Sequence, residues 1–263
     1  MPDQAVTTVD VRGYATSVDR AGKGAPVVIL SDFFGPQGWQ PYMAELAQRF
    51  EVFAPRHPGI AGSPVPEWLD TAADLGNFYL DFLDALALDK AHLVGFGVGG
   101  WIAAELAIRN CARLASLTLV APLGLRVRGV PQSDIFLGAD DDVLRVLVHD
   151  QHIAESLIAE TVTPENEDAR LYNQQLLARV AWEPRLHNPH LVQWLHRISV
   201  PMHLVAGDHD ALFPEPYALA WRSGIANSSC DILRECGHLP QFERARETVA
   251  CISRFIAGWK VMA

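Results

Sequence analysis

The chain has 263 residues, 49% of them hydrophobic, and a formal net charge of -10. That length and apolar content suit one domain with an ordinary buried core. The acidic balance, without a long Lys/Arg cluster, argues against nucleic acid and anionic lipid as partners.

The N-terminal region predicts a hairpin and no export signal. Polar and apolar residues alternate around Thr8, Asp10 and Arg12, and Gly13 breaks the pattern. The first residues lack the basic and apolar run of a signal peptide, and no apolar stretch is long enough to cross a bilayer. We therefore expect a cytoplasmic protein without membrane contact.

An alternation of buried strands and helices follows the hairpin. Short apolar runs followed by turn residues predict parallel strands at 27–30, 52–54, 92–94 and 117–120. Helical patterns lie between them at 41–49, 71–86 and 98–109, and either Asp70 or Thr71 caps the second helix. This order predicts an α/β fold with a mostly parallel, doubly wound sheet.

The alternation stops near Leu123 and resumes near residue 200. Between these points the pattern is helical, with the acidic run 140–142 suited to a helix N-terminus. Strands return at 202–206 and 230–233, and an amphipathic helix runs through Trp259. We predict a core of residues 1–122 and 200–263 with an inserted helical cap of residues 123–199.

Three segments carry the chemistry of the chain. Residues 95–100 read GFGVGG and lead from a strand into a helix, residues 207–214 read GDHDALFP, and residues 236–243 read CGHLPQFE. In this order they resemble the nucleophile elbow, acid loop and histidine loop of the α/β-hydrolase fold family. Gly97 stands where that family carries its serine.

The resemblance implies a role for each matching residue. His238 would be the base and Asp210 its carboxylate partner, with Asp208 a turn residue. The amides of Phe33 and Val98 would form the oxyanion hole. Cys236 is read as a small buried thiol because nothing in the sequence lowers its pKa.

The sequence departs from the family pattern around Gly97 as well. Asp32 replaces the residue before the first oxyanion-hole amide, where a carboxylate opposes a developing negative charge. A turn aspartate facing solvent is the alternative. Arg56 stands where relatives often carry aspartate. An engineered loss of serine would not explain Asp32 and Arg56, so we favour natural divergence, in which glycine also relieves backbone strain at the elbow.

A pocket between core and cap is the expected ligand site. Its candidate residues are Asp32, Phe34, Phe136 and Trp182, although the aromatic residues fit an ordinary core equally well. The four cysteines and the cap histidines lack metal-ligand spacing, so we expect neither a metal nor a cofactor nor a disulfide framework.

Two functional hypotheses follow. In the first, His238 and Asp210 perform acid-base chemistry without a covalent intermediate on a small apolar carbonyl compound, as a lyase, an isomerase, a decarboxylase or a water-activating hydrolase. In the second, the chain is a non-catalytic pseudo-hydrolase that binds a small ligand or a partner protein. Residual esterase activity is a third possibility. The sequence predicts no oligomeric state.

Overall fold

The computed structural model describes residues 3–60 and 63–258. Its strands are β1 (Ala5–Val11), β2 (Tyr14–Ala21), β3 (Pro26–Leu30), β4 (Glu51–Pro55), β5 (Ala91–Phe96), β6 (Leu114–Val120), β7 (Met202–Gly207) and β8 (Ser228–Leu233). Its helices are α1 (Pro41–Leu46), α2 (Ala72–Ala85), α3 (Gly97–Arg109), α4 (Asp140–Leu147), α5 (Gln151–Thr161), α6 (Glu167–Ala181), α7 (Leu191–Trp194), α8 (Glu215–Gly224), α9 (Pro240–Glu243) and α10 (Ala245–Gly258).

All eight strands form one sheet in the order β1-β2-β4-β3-β5-β6-β7-β8. β1 and β2 form the predicted hairpin, and β2 pairs antiparallel to β4, whereas every pairing from β4 through β8 is parallel. Each residue of β5 and β7 is buried, as expected for strands covered on both faces. The predicted mostly parallel α/β sheet is confirmed.

Helices cover both faces of this sheet. The larger apolar core includes Phe78 of α2 and Ile102 of α3, and the second core includes Met43 of α1 and Ile252 of α10. Thr71 caps α2, because its side chain accepts a hydrogen bond from the Asp74 amide and the Asp74 carboxylate accepts one from the Thr71 amide.

The segment between β6 and β7 carries α4 to α7 and adds no strand to the sheet within the described residues. A helical insert is therefore present, as predicted. Glu105, a fully buried carboxylate on α3, helps to fix the position of the insert. It accepts hydrogen bonds from Trp101 and Arg109 of α3 and from Asn188 of the insert.

The C-terminal helix is described as far as Gly258, so the predicted contribution of Trp259 lies outside the described residues. In the part of the chain that is described, no helix combines the length and apolar character needed to span a bilayer.

Candidate active site

A tight turn joins β5 to α3 at the carboxyl edge of the sheet, and Gly97 occupies it. Its φ of 50° lies in the left-handed region that favours glycine. The flanking glycines are required by space, since a Cβ at Gly99 would collide with the Leu30 carbonyl and one at Gly95 with the backbone of α3. The elbow predicted from GFGVGG is therefore present as a backbone geometry.

His238 and Asp210 form a buried pair beside this turn. Asp210 follows β7, and its Oδ1 accepts hydrogen bonds from the amides of Leu212 and Phe213, each 2.8 Å long. Its Oδ2 lies 2.8 Å from Nδ1 of His238, which is 1% exposed. With Nδ1 committed to Asp210, Nε2 is the ring atom left to exchange protons.

Asp32 occupies the position predicted for an oxyanion. Its Oδ1 accepts hydrogen bonds from the amides of Phe33 at 2.8 Å and Val98 at 3.1 Å, the two amides expected to form the oxyanion hole. The residue is 4% exposed, so the alternative of a solvent-facing turn aspartate is wrong. The hole is filled by the protein's own carboxylate.

The second oxygen of Asp32 faces His238. Oδ2 lies 3.9 Å from Nε2 of His238, and both atoms are buried without a hydrogen-bond partner among the described residues. A Cβ on residue 97 would lie within 2.5 Å of Cγ and both oxygens of Asp32. The carboxylate thus fills the space above Gly97 and leaves none for a side chain there.

Burial and neighbouring charges shift the pKa values of Asp32 and His238. Burial raises the pKa of Asp32 to about 6, although the charge of His238 and the amides of Val98 and Phe33 oppose the rise. Burial alone would lower the pKa of His238, but Asp210 and Asp32 outweigh it and raise that pKa above its ordinary value. Around neutral pH, Asp32 and His238 therefore compete for the same proton.

We expect Asp32→Asn to stabilise the protein above pH 6. The Asp32 carboxyl has a pKa of 3.8 when unfolded and about 6 when folded, so the folded state holds the proton more tightly. Its stabilising contribution is complete below pH 3.8 and is lost as the pH rises through 6. Asparagine avoids this loss, a gain of about 3 kcal/mol in the free energy of unfolding at pH 8.

Urea unfolding of both proteins at pH 4 and pH 8 measures this effect. The gain should appear at pH 8 and nearly vanish at pH 4. An equal difference in the free energy of unfolding at pH 4 and pH 8 would show that ionisation of Asp32 does not destabilise the folded protein.

Glu243 holds the loop that carries His238, a role that the sequence did not indicate. Its Oε1 accepts the amide of Gly237 at 2.8 Å, and its Oε2 accepts the amides of His149 at 2.7 Å and Asp150 at 3.2 Å. The His238 amide also donates to the carbonyl of Leu147 at 2.7 Å. The histidine loop is thereby tied to the turn between α4 and α5, through contacts more than 90 residues apart in sequence.

A cavity of about 270 Å³ lies between Phe33, Phe34 and the helical insert. Phe34 and Phe136 line it, whereas Asp32 and His238 do not. Trp182, another predicted pocket residue, does not line this cavity; its half-exposed ring packs edge-on against Phe136, with centroids 5.2 Å apart. Phe34 links cavity and dyad, since its ring centroid is 6.5 Å from that of His238.

Other residues considered from the sequence lie apart from the dyad. The guanidinium of Arg56 faces Asp19 at 4.0 Å and lines a different, smaller cavity. Burial raises the pKa of the Cys236 thiol far above its usual value, which makes it a poor nucleophile. Within the described residues, no three His, Cys, Asp or Glu side chains are grouped as a metal site.

Comparison with known proteins identifies the family to which the chain belongs. A model of the alpha/beta hydrolase family matches residues 24–250. The chain belongs to this family. The structure adopts its fold, with an eight-stranded, mostly parallel sheet and a helical insert.

Relatives of this family member include enzymes of two kinds. A carboxylesterase of Bacillus subtilis is 24% identical, over 90% of this chain and 82% of its own. A 2-hydroxymuconate semialdehyde hydrolase of Pseudomonas sp. is 25% identical, over 93% and 91%. Among solved structures, a serine hydrolase of Cycloclasticus zankles superposes with a TM-score of 0.82 at 19% identity, over 97% of this chain and 99% of that one.

Proposed function

We propose that this family member is an enzyme that uses the His238–Asp210 dyad for acid-base chemistry and forms no acyl-enzyme on residue 97. The observation that carries the proposal is the position of Nε2 of His238. It is buried, oriented by Asp210 through Nδ1, and faces the free oxygen of Asp32 at 3.9 Å instead of a hydroxyl nucleophile.

The chemistry that fits this arrangement is proton transfer on a small apolar carbonyl compound. Positioned acid or base groups accelerate such reactions by about 10² to 10⁴. The cavity beside Phe34 is lined by apolar residues including Ile135, Phe136 and Leu177 and, on the insert, by polar ones including Asp140 and Arg170. Its volume is slightly under the usual range of about 300 to 1,000 Å³ for ligand pockets. Lyase, isomerase, decarboxylase and water-activating hydrolase reactions are all compatible with a dyad of this kind.

Deuterium exchange tests the proposal. Phenylacetone, cyclohexanone and hexanal would be incubated with the protein in D₂O, and loss of the α-proton signal followed by NMR. We expect exchange that is catalysed by the wild type and lowered at least a hundredfold by His238→Ala. His152→Ala, which changes an exposed histidine on α5, is the matched control. Equal rates in the two variants would contradict the proposal.

One observation favours a second candidate, a non-catalytic pseudo-hydrolase. The atoms Oδ2 of Asp32 and Nε2 of His238 are sealed from solvent, and the predicted oxyanion hole is already filled. Such a protein would bind a small ligand in the cavity, or a partner protein, without converting it. Saturable binding of a ketone from the same panel without exchange, unchanged by His238→Ala, would support this candidate.

A further inference from the structure

Two hydrogen bonds decide which oxygen of Asp32 can carry a proton. The amides of Phe33 and Val98 both donate to Oδ1, so that oxygen faces two hydrogens and has no room for a third. Oδ2 has no partner. A proton bound by this carboxyl therefore resides on Oδ2, which faces His238.

We infer that Asp32 is the catalytic acid of this site: its Oδ2–H group protonates the carbonyl oxygen of a substrate while Nε2 of His238 removes a hydrogen from the adjacent carbon. The inference rests on the proposed function and narrows it to aldehydes and ketones with a removable α-hydrogen. Asp32 replaces the two-amide hole as the group that stabilises the developing charge on oxygen.

The proton and electron balance of the step closes within the site. The α C–H bond breaks, its proton goes to Nε2, and its electron pair forms the new C=C bond. The π electrons of the carbonyl form an O–H bond with the proton from Oδ2. The product is an enol, with Asp32 left as carboxylate and His238 as imidazolium. In the reverse step Nε2 gives a proton to the carbon and the enol O–H gives its proton back to Oδ2, which restores both groups and the carbonyl compound.

Burial makes this acid usable near neutral pH. A carboxylic acid kept partly protonated by a desolvated site is a known way to donate a proton or hydrogen bond to an enolising carbonyl. Burial raises the pKa of Asp32 to about 6, and the neighbouring carboxylates raise that of His238, so the singly protonated pair exists as two tautomers; the reacting tautomer has the proton on Asp32 and a neutral His238. Asp210, at the far side of the imidazole, stabilises the imidazolium that forms.

The absence of a side chain at Gly97 leaves the space that the Asp32 carboxylate fills. The carboxylate of Asp32 lies over the residue without a side chain, so nothing from the elbow separates it from His238. Because the cavity ends at Phe33 and Phe34, a substrate would reach Oδ2 and Nε2 by displacing the ring of Phe34. A planar enol bridging the two atoms satisfies the polar atoms that are unpartnered without it.

Asp32→Asn is the discriminating variant. Its amide oxygen would still accept the two amides and its NH₂ group would stand where Oδ2 was, so binding is kept but proton delivery is lost. We expect α-deuterium exchange of phenylacetone to show kcat lowered at least a hundredfold and KM changed less than threefold. Asp19→Asn, which alters another buried aspartate outside the site, is the control and should leave both constants near wild type.

The pH profile supplies the second readout. The active state holds one proton on the Asp32–His238 pair, so the wild-type rate should be bell-shaped, falling when the pair gains a second proton and when it loses its last. Asp32→Asn should keep the acid limb, which then belongs to His238, and lose the alkaline limb. The other ionisable groups near the pair are Asp210, Glu243 and Tyr42, and all are retained in the variant.

The outcomes separate this inference from the proposed function. Exchange that depends on His238 but keeps its rate and bell-shaped profile in Asp32→Asn would overturn the inference and leave the proposed function standing. Exchange that is absent from the wild type, or unaffected by either variant, would overturn both. Loss of kcat together with loss of the alkaline limb supports both.

Discussion

Gly97→Ser by itself should give no esterase activity, whereas the double variant Asp32→Gly, Gly97→Ser should hydrolyse activated esters. In the single variant the new Cβ would collide with the carboxylate of Asp32, and the amides of Phe33 and Val98 would stay occupied by Oδ1. Removing Asp32 clears the space above residue 97 and frees both amides together. His238 and Asp210 are already paired to serve as base.

The expected gain is large because two separate obstacles are removed. One oxyanion donor is worth on the order of 10² to 10³ in rate, and here both donors are restored. We therefore expect p-nitrophenyl butyrate hydrolysis by the double variant to exceed that of Gly97→Ser at least a hundredfold. A side chain at residue 97 in the left-handed region should also cost about 1 to 3 kcal/mol in stability, so unfolding is measured alongside.

Two controls complete this experiment. Asp32→Gly alone lacks a nucleophile and should stay near background, and adding His238→Ala to the double variant should remove the gain. Esterase activity in Gly97→Ser equal to that of the double variant would mean that Asp32 does not block the elbow or the oxyanion hole.

Glu243→Ala should unfold the region around His238 and abolish exchange activity. The substitution leaves the amides of Gly237, His149 and Asp150 without their acceptor; Gly237 is buried, whereas His149 is exposed and Asp150 is partly buried. An unpaired buried polar group costs about 1 to 3 kcal/mol, and the two amides nearer the surface add less, so the loss in the free energy of unfolding should be about 3 kcal/mol. Catalysis suffers as well, because the loop carrying His238 loses its connection to the helical insert.

Glu243→Gln is the intermediate variant for this effect, and Glu247→Ala is its control. Glutamine has one acceptor oxygen, so it serves either the Gly237 amide or the pair from His149 and Asp150, and an intermediate loss is expected. Glu247 is exposed on the neighbouring helix, and its replacement should change the unfolding free energy by less than about 0.5 kcal/mol. Urea unfolding compares all three, and similar values for Glu243→Ala and Glu247→Ala would refute the bridging role of Glu243.

The strands and the elbow were predictable because their signals are local. The runs that became β5 and β7 are buried throughout and apolar apart from one histidine in each, His92 and His203, and their turn residues follow directly in sequence. Glycine at position 97 is likewise a local signal, because glycine readily adopts the positive φ found there. Asp210 and His238 were predicted from motif resemblance, and the structure brings them to hydrogen-bond distance.

The pocket was harder to predict, because aromatic residues suit a core and a cavity wall alike. Phe34 and Phe136 line the cavity, whereas Trp182 packs on the outer side of Phe136. Nothing in their sequence neighbourhoods distinguishes these positions. Arg56 was grouped with Asp32 as part of one altered site, but its charge faces Asp19 instead.

The sequence by itself determined the family fold, the elbow at Gly97, and the dyad of His238 and Asp210, since each depends on short-range pattern or motif order. Only the tertiary structure shows which group occupies the space above Gly97. The carboxylate of Asp32 reaches it by bonding an amide 66 residues away at Val98, and Glu243 joins segments more than 90 residues apart. Such contacts depend on how distant parts of the chain pack, and no local pattern encodes them.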